Sequence, residues 1–298
     1  MISGLGSATR SQPLMRSVFL NSALNQSSRN MATLREIQTR LKSVTNIAKI
    51  TKSMKMIAST KTTRAQRAME QARQNGIVSN DGVKYTDVKD EEGIKKIVIV
   101  SSSDKGLCGG IHSCVSRFTR DHLATNPGEK VVVIGDKAKA QIIRMSPGSI
   151  VMNFNQVGKL IPTFEESSAI ATEILNNPDT TFDCAQIVYN KFISAISYEP
   201  EVIPSFTTEY IQKAPSFAVY EIPDGVLENY NEFLFATNLH WALVEGHATE
   251  MAAKRAAMDN ATNNAEEIIG KLTLQYNRGR QALITNQLIE VITGASAL

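Results

Sequence analysis

The chain has 298 residues, of which 42% are hydrophobic, so it can form one large domain or two small ones with a true core. Its 32 basic and 29 acidic residues give a net charge of +3, which is too small an excess to indicate a nucleic-acid partner. Three cysteines without tight spacing argue against a disulfide framework, and no apolar run approaches the ~18–20 residues that span a bilayer.

The first 35 residues contain no acidic residue but several arginines and many serines and asparagines. This composition is typical of a mitochondrial transit peptide, and the lack of a continuous apolar stretch argues against a secretory signal. We predict a transit peptide over residues 1–31, with cleavage near Asn30–Ala32. A disordered tail without an address is the alternative.

Residues 32–75 are predicted to form the first of two long helices. Neither Pro nor Gly occurs between Leu34 and Asn75, and apolar residues recur every three or four positions. This apolar stripe consists of Leu34, Ile37, Leu41, Val44, Ile47, Ile50, Met54 and Ile57. Between residues 34 and 73, ten Lys or Arg residues stand against two Glu residues. Such a one-sided charge favours an acidic partner, with a solvated face as the alternative.

Residues 76–223 are predicted to form an α/β domain, which begins with a linker over residues 76–92 that contains two glycines and an acidic cluster. Short β-branched runs then alternate with helical patterns. Strands are predicted near residues 97–100, 131–134, 150–154, 187–189 and 202–208, and helices at 111–123, 137–144 and 164–175. This alternation predicts a mostly parallel sheet with crossover helices, in which the last two strands pair antiparallel at an edge.

Residues 224–298 are predicted to form the second long helix, with Asp224 as its N-cap and without a proline. Gly246, Gly270 and Gly279 indicate close helix approach or local bends. At ~1.5 Å rise per residue the two helices would span about 60 and 105 Å. Pairing them as an antiparallel coiled coil is the simplest way to bury both apolar stripes.

The last part of this helix, residues 282–298, is apolar on most of its circumference. A coiled coil needs only one apolar stripe, whereas a helix that is apolar all round must be buried. We therefore predict that this end inserts into another protein. Packing on the chain's own domain is the alternative.

Candidate catalytic groups are few. The glycine-rich loop Ser103–Gly110 follows a strand and precedes a helix, but it matches no phosphate-binding motif, so a tight turn is the favoured interpretation. Cys108, His112 and Cys114 match no standard metal-ligand spacing. His240 and His247 stand seven residues apart and share a helical face, a spacing that usually indicates packing or surface residues. No motif indicates intrinsic catalysis, a metal or a cofactor.

Three stretches resemble the gamma subunits of mitochondrial ATP synthases. They are residues 47–61 (IAKITKSMKMIASTK), residues 103–110 (SDKGLCGG), and the pair 257–265 (AMDNATNNA) and 280–285 (RQALIT) in the last helix. The resemblance implies an antiparallel coiled coil of the N- and C-terminal helices with a Rossmann-like sheet domain at its base. It also implies a central rotary shaft inside a ring of alternating alpha and beta subunits.

By this resemblance, the base contacts the delta and epsilon subunits and the membrane c-ring, so the chain is peripheral to the inner membrane on its matrix side. Proton flow turns the shaft, and rotation cycles the three beta sites where ATP is made. The chain itself would hold no cofactor or metal and bind no nucleic acid.

The resemblance also assigns contact residues. Arg280, Gln281 and Thr285 match the positions that grip a loop of the beta subunit, called the catch loop. Met54, Lys55 and Lys254 match the region facing an acidic lever of beta, although the family commonly has Arg in place of Lys254, whose ammonium lacks the bidentate fork. The apolar bearing at the tip comprises Leu283, Leu288, Ile289 and Ile292.

Two other functions compete with this one. A nucleotide-dependent enzyme with coiled-coil arms would bind a mononucleotide or dinucleotide at Ser103–Gly110. A structural tether would use the long helices only to join complexes.

Overall fold

The computed structural model describes residues 34–86, 88, 93–144, 146–223 and 225–296. The predicted transit peptide and the proposed cap Asp224 lie outside the described residues and remain predictions. The chain divides into two compact units, one over Ala48–Asn264 and one that consists of the chain up to and including Ile47 together with Ala265–Leu298.

A five-stranded sheet forms the centre of the unit over Ala48–Asn264. Its spatial order is β3-β2-β1-β4-β5, and its strands are β1 Lys96–Ser101, β2 Lys130–Ile134, β3 Ile150–Phe154, β4 Cys184–Phe192 and β5 Tyr198–Phe206. All neighbouring pairs are parallel except β4 and β5, which pair antiparallel from Cys184 opposite Phe206 to Phe192 opposite Tyr198. The predicted parallel sheet with an antiparallel edge is confirmed.

Two very long helices begin and end the described chain. The α-helices are α1 Leu34–Lys84, α2 Ile111–Thr125, α3 Asp136–Ile142, α4 Phe164–Asn176, α5 Thr208–Gln212 and α6 Val226–Ser296, with short 3-10 turns at Pro178–Thr180 and Phe217–Val219. Helix α1 has 51 residues and α6 has 71. Both greatly exceed the ~11–12 residues of an average helix.

The sheet is buried on both faces because alternate side chains of its β-branched strands point to opposite sides. On one face, Ile97 and Ile99 lie in a core with residues of α4 and of α6, including Leu239. On the other face, Val98 and Val100 lie in a core with residues of α2 and α3. The first stretch of α6 is therefore a layer of the sheet domain.

Helix α1 continues to Lys84, past its predicted end at Asn75. The prediction treated Gly76 and Gly82 as helix breakers, but both glycines face α6 at close range. A Cβ at Gly76 would lie 2.5 Å from Cε3 of Trp241, and one at Gly82 would lie 2.6 Å from the hydroxyl of Tyr230. Packing of α1 on α6 therefore outweighs the low helix propensity of glycine.

The buried face of α1 also differs in part from the predicted stripe. Leu34, Ile37, Leu41 and Val44 are half-buried, in line with the prediction. Beyond them the buried face of α1 consists mainly of small residues. They are Thr51, Ala58, Thr62, Ala65, Met69, Ala72 and Gly76. Thr262 on α6 donates a hydrogen bond to Thr51, with 2.9 Å between the hydroxyl oxygens. Small side chains let the two helices approach closely and leave the neighbouring large side chains outside.

The same helices also pair within the unit that contains the chain ends. Leu272 of α6 is buried there, and a Cβ at Gly279 would lie 3.1 Å from Cδ1 of Leu34. Pairing of α1 with α6 is thus present in each unit. The predicted fold class, a pair of long N- and C-terminal helices with a mostly parallel sheet domain, is confirmed.

Candidate functional site

The crevice at the carboxyl ends of β1 and β4 is where a parallel sheet of this kind would bind a ligand, because the strand order reverses there. The Ser103–Gly110 loop borders it, and the charged side chains of Asp104 and Lys105 in this loop are bound within the chain, whereas the buried Ser103 hydroxyl has no hydrogen-bond partner among the described residues. The two carboxylate oxygens of Asp104 accept main-chain N–H groups of Asp136 at 2.7 Å and of Gln156 at 2.6 Å. The Lys105 ammonium donates to the carbonyls of Gly158 and Lys159.

Helix α6 closes this crevice. A Cβ at Gly246 would lie only 3.5 Å from the hydroxyl of Ser101 at the end of β1. The cavity that remains has a volume of about 30 Å³ and is lined by His247, Glu250 and Asn190, among other residues. Small-molecule sites usually need roughly 300–1,000 Å³. The geometry therefore supports a structural turn at Ser103–Gly110.

The histidines near this crevice serve packing. His112 Nδ1 lies 2.9 Å from the Ser102 hydroxyl, and its Nε2 lies 2.9 Å from the carbonyl oxygen of Lys105 and 3.0 Å from the Cys108 sulfur. Burial lowers the pKa of His112. His247 is buried, and His240, which is half-buried, contacts the Ser167 hydroxyl through Nδ1 at 3.2 Å.

Helix α1 carries an exposed row of large apolar side chains, which we call the α1 row: Ile47, Ile50, Met54 and Ile57. Their exposed fractions are 52%, 56%, 40% and 56%. Spacings of three and four place them on one helical face, which Lys61 and Arg64 continue. The sequence suggested burial in the coiled coil for these four residues, and the structure corrects that. Buried Thr51, Ala58 and Thr62 on the adjacent face were the overlooked signal.

The lysines predicted to face the acidic lever already have acidic partners in the chain. Lys55 Nζ lies 2.6 Å from Asp259 Oδ1, and these side chains are 39% and 44% exposed. Lys254 Nζ lies 3.3 Å from Glu250 Oε1, and its side chain is only 21% exposed. Lys55 is therefore the more accessible cation for an outside partner.

The end of α6, which we call the α6 end, covers residues 281–296 and is exposed at every position. The predicted bearing residues Leu283, Leu288, Ile289 and Ile292 are 48–60% exposed. Arg280 is also exposed, and the Thr285 hydroxyl donates to the Gln281 carbonyl at 2.9 Å. The described part of the chain supplies no cover for these apolar side chains.

The two exposed apolar surfaces, rather than the crevice beside the glycine-rich loop, are thus the candidate functional sites. Contiguous exposed apolar side chains usually mark contact with another protein or a membrane. Within the described ranges, no helix has an apolar stretch that could cross a membrane.

The chain is similar to known proteins over nearly its whole length. The ATP synthase family matches residues 33–298. The mitochondrial ATP synthase gamma subunit of Yarrowia lipolytica is 45% identical over 97% of this chain and 98% of its own. The mitochondrial F(1) complex gamma subunit of Rattus norvegicus is 42% identical over 90% of this chain and 100% of its own.

The fold also matches a solved structure. A chain in the cryo-EM structure of the mitochondrial ATP synthase of Euglena gracilis superposes with a TM-score of 0.76. That match covers 89% of this chain and 94% of the other at 19% identity. It supports the fold described above, with the two long helices and the sheet domain.

Proposed function

Because the chain belongs to the family of mitochondrial ATP synthase gamma subunits, we propose that it is the central rotary shaft of the proton-driven ATP synthase. It is a non-catalytic subunit, and ATP is made at the beta sites that it acts on. The observation that carries the proposal is the pair of exposed apolar surfaces, since a shaft needs them when it lies inside a ring of other subunits.

A shaft acts through unequal contacts. A single chain inside a threefold ring cannot follow the symmetry of the ring, so each beta subunit meets a different face. A partner shifts a conformational equilibrium only by the difference in its contact energy between the two states. The α1 row with its flanking cations differs strongly from the opposite face of the pair, and this difference can bias one beta site against the others.

The α6 end suits a bearing. Apolar contact is non-directional, so the end can turn against its socket without breaking a fixed set of hydrogen bonds. Leu283, Leu288, Ile289 and Ile292 supply this contact, and Arg280, Gln281 and Thr285 grip the catch loop of beta from the exposed start of this segment.

The α1 row suits the acidic lever of beta. Met54 contributes apolar contact, and Lys55 contributes a charge that can exchange Asp259 for a carboxylate of the lever. Exposed ion pairs are worth only about 0–1 kcal/mol, so such an exchange does not trap the rotor. Support for Lys254 is weaker, since its ammonium bonds the buried Glu250.

The remaining partners follow from the same role. The alpha and beta subunits surround the helix pair, and the delta and epsilon subunits and the c-ring bind the sheet domain. The chain is then peripheral to the mitochondrial inner membrane on the matrix side, after removal of residues 1–31. The tether hypothesis shares these partners, but it gives no reason for an apolar helix end without a cover.

The test is a pull-down of the tagged mature chain from mitochondria, assayed for co-purifying subunits and ATP hydrolysis. We expect alpha and beta subunits and ATPase activity to come down with it. Arg280→Glu should lower that activity, whereas Arg278→Glu, an exposed arginine two residues away on the other side of the helix, should lower it much less.

Recovery of the chain alone or with unrelated proteins would overturn the rotor proposal. Removal of residues 288–298 separates the rotor from the tether, because a tether would keep all its partners and a rotor would lose assembly or coupling. Saturable nucleotide binding by the isolated chain in calorimetry would instead favour the enzyme hypothesis.

A further inference from the structure

Glu245 of α6 is a fully buried carboxylate that joins three elements of the sheet-containing unit. Its side chain is 0% exposed. It accepts hydrogen bonds from the Arg73 guanidinium on α1 and from the main-chain N–H of Phe192 at the end of β4, the latter at 2.9 Å. The indole N–H of Trp241, one turn earlier on α6, donates to the same carboxylate at 2.6 Å.

Both main-chain polar groups of Phe192, the last residue of β4, are hydrogen-bonded to side chains of the long helices. The Arg73 guanidinium donates to the Phe192 carbonyl at 3.1 Å while Glu245 accepts the N–H of the same residue. Nearby, the Thr249 hydroxyl on α6 donates to the carbonyl of Asn190 at 3.1 Å. Both long helices are therefore bonded to the main chain of one sheet strand.

In the core of this face, α6 contacts the sheet through apolar side chains, with Phe235, Leu239 and Leu243 beside Ile97 and Ile187. Such contact opposes separation of the layers, but it contains no directional bond. Hydrogen bonds to an ionised group are stronger and more directional than neutral ones. The hydrogen bond to Glu245 is also the main reason why the pKa of Arg73 is raised.

Burying this charge has a cost that an apolar pair would avoid, so stability alone does not explain it. Buried polar groups often fix one arrangement of packed elements against neighbouring ones. Here the bonds to Glu245 and Arg73 fix the position of α1 and α6 relative to the end of β4.

We propose that Arg73 and Glu245 are positioning residues that form, with the main chain of Phe192, the joint that transmits torque between the sheet domain and the two long helices. This inference rests on the proposed rotor function. The c-ring would turn the sheet domain, and the helix pair would have to follow without lag, which requires a stiff directional connection at this point.

The test uses the whole ATP synthase reconstituted in lipid vesicles, with Glu245→Gln in this subunit. Glutamine keeps the shape and one acceptor oxygen for Phe192, but it removes the charge that holds Arg73. We expect ATP hydrolysis without a gradient to stay at the parental rate, while the variant loses part of the ΔpH that the parent builds by ATP-driven proton uptake. This result would mean that the connection between the sheet domain and the long helices deforms only when rotation works against the proton gradient.

The matched control is Glu267→Gln, which breaks an exposed i,i+4 pair with Lys271 on the same helix and should change neither reading. A joint that serves only folding would lower assembly, hydrolysis and ΔpH together, and that result would overturn the inference. Trp241→Phe removes the indole donor and keeps a smaller aromatic ring. It should give a smaller loss of ΔpH, and if Glu245→Gln does not assemble, an unchanged ΔpH in Trp241→Phe overturns the inference.

Failure of the rotor function would look different from failure of the joint. If the parental chain does not assemble with alpha and beta or support proton uptake, the proposed function fails before any variant is compared. A second, direct measurement uses a bead that is fixed to the sheet domain while the α6 end is cross-linked to beta. The quantity measured is the angular spread of the bead. The spread should widen in Glu245→Gln and stay unchanged in Glu267→Gln.

Discussion

Gly76 of α1 lies directly against the indole of Trp241 on α6, so that a Cβ at this glycine would sit 2.5 Å from Cε3 and 2.9 Å from Cδ2 of the ring. Neither helix can move away freely here, because Arg73 and Trp241 both bond Glu245 within the same layer. The absence of a side chain at position 76 is thus a packing requirement, and it explains why α1 does not end at this glycine.

Gly76→Ala is therefore expected to destabilise the full chain by about 1–3 kcal/mol, the usual range for an overpacked core. Gly270→Ala on α6 is the matched control, since a Cβ there would meet nothing within 4 Å. Alanine at that position should stabilise the helix by about 0.5–1 kcal/mol. Urea unfolding of the two variants measures both changes, and shifts of the same sign would contradict the packing argument.

The α1 row is expected to matter for assembly and not for folding. Ile50→Ser and Ile57→Ser should change the free energy of unfolding by less than about 0.5 kcal/mol, because both residues are already exposed. Their affinity for the alpha–beta ring should fall, since apolar area is no longer buried there. Val78→Ser, an exposed apolar position of α1 outside the row, is the control. An equal loss of affinity in Val78→Ser would show that the row has no special role.

The α6 end should behave in the same way but more strongly. Leu288→Asp and Ile292→Asp would each place a charge in the socket, where burying a Leu or Ile side chain is worth about 1.5–3 kcal/mol. We expect at least about a tenfold loss of affinity for the ring per substitution. Leu160→Asp, an exposed position of the sheet domain, should leave affinity at the parental value. Normal assembly of both α6-end variants would exclude the bearing role.

Acid is expected to destabilise the chain in part through His247. Burial is the main reason why the pKa of this imidazole is lowered to about 4; the nearby Lys105, Lys254 and Lys61 act in the same direction, while Glu250 opposes them. As the pH falls, the imidazole of His247 therefore takes up its proton near pH 6.5 in the unfolded chain but only near pH 4 in the folded chain. Stability is full above pH 6.5 and falls as the pH drops through that window, by up to about 3 kcal/mol.

His247→Gln should remove this part of the pH dependence. The variant and the parent would keep a constant difference in unfolding free energy above pH 7, and the difference would move in favour of the variant between pH 6.5 and 4. Some acid sensitivity should remain, because burial also lowers the pKa of His112 and His240. Parallel curves for the two proteins down to pH 4 would exclude a contribution from His247.

The sheet could be predicted from sequence because its strands are continuous β-branched runs such as Ile97–Val100, which fit only a strand buried on both faces. The long helices were equally accessible from the absence of proline. The end of α1 could not be predicted, because a glycine such as Gly76 occurs both in turns and in close helix contacts. Only the position of Trp241, distant in sequence, distinguishes the two.

The candidate sites can likewise be separated into those that have a local sequence signal and those that depend on residues distant in sequence. The apolar character of the α6 end has a local signal, because a helix that is apolar all round needs an outside partner. The α1 row was predicted as core, since isoleucines at helical spacing mark burial more often than exposure. Its exposure could be recognised only from the location of α6, which packs on buried residues of α1 such as Thr51 instead. The Arg73–Glu245 pair joins residues 172 positions apart and has no local signal.

The exposed apolar side chains of α1 and α6 also affect how the chain behaves before it assembles with its partners. A newly folded copy presents Ile50, Ile57, Leu288 and Ile292 to water, and none of the residues that the structure describes covers them. Two such copies offer each other the kind of surface that the ring would otherwise supply, so unassembled chains should self-associate as their concentration rises. Cells that make this protein therefore need to match its synthesis to that of the ring subunits, or to shield and degrade the surplus.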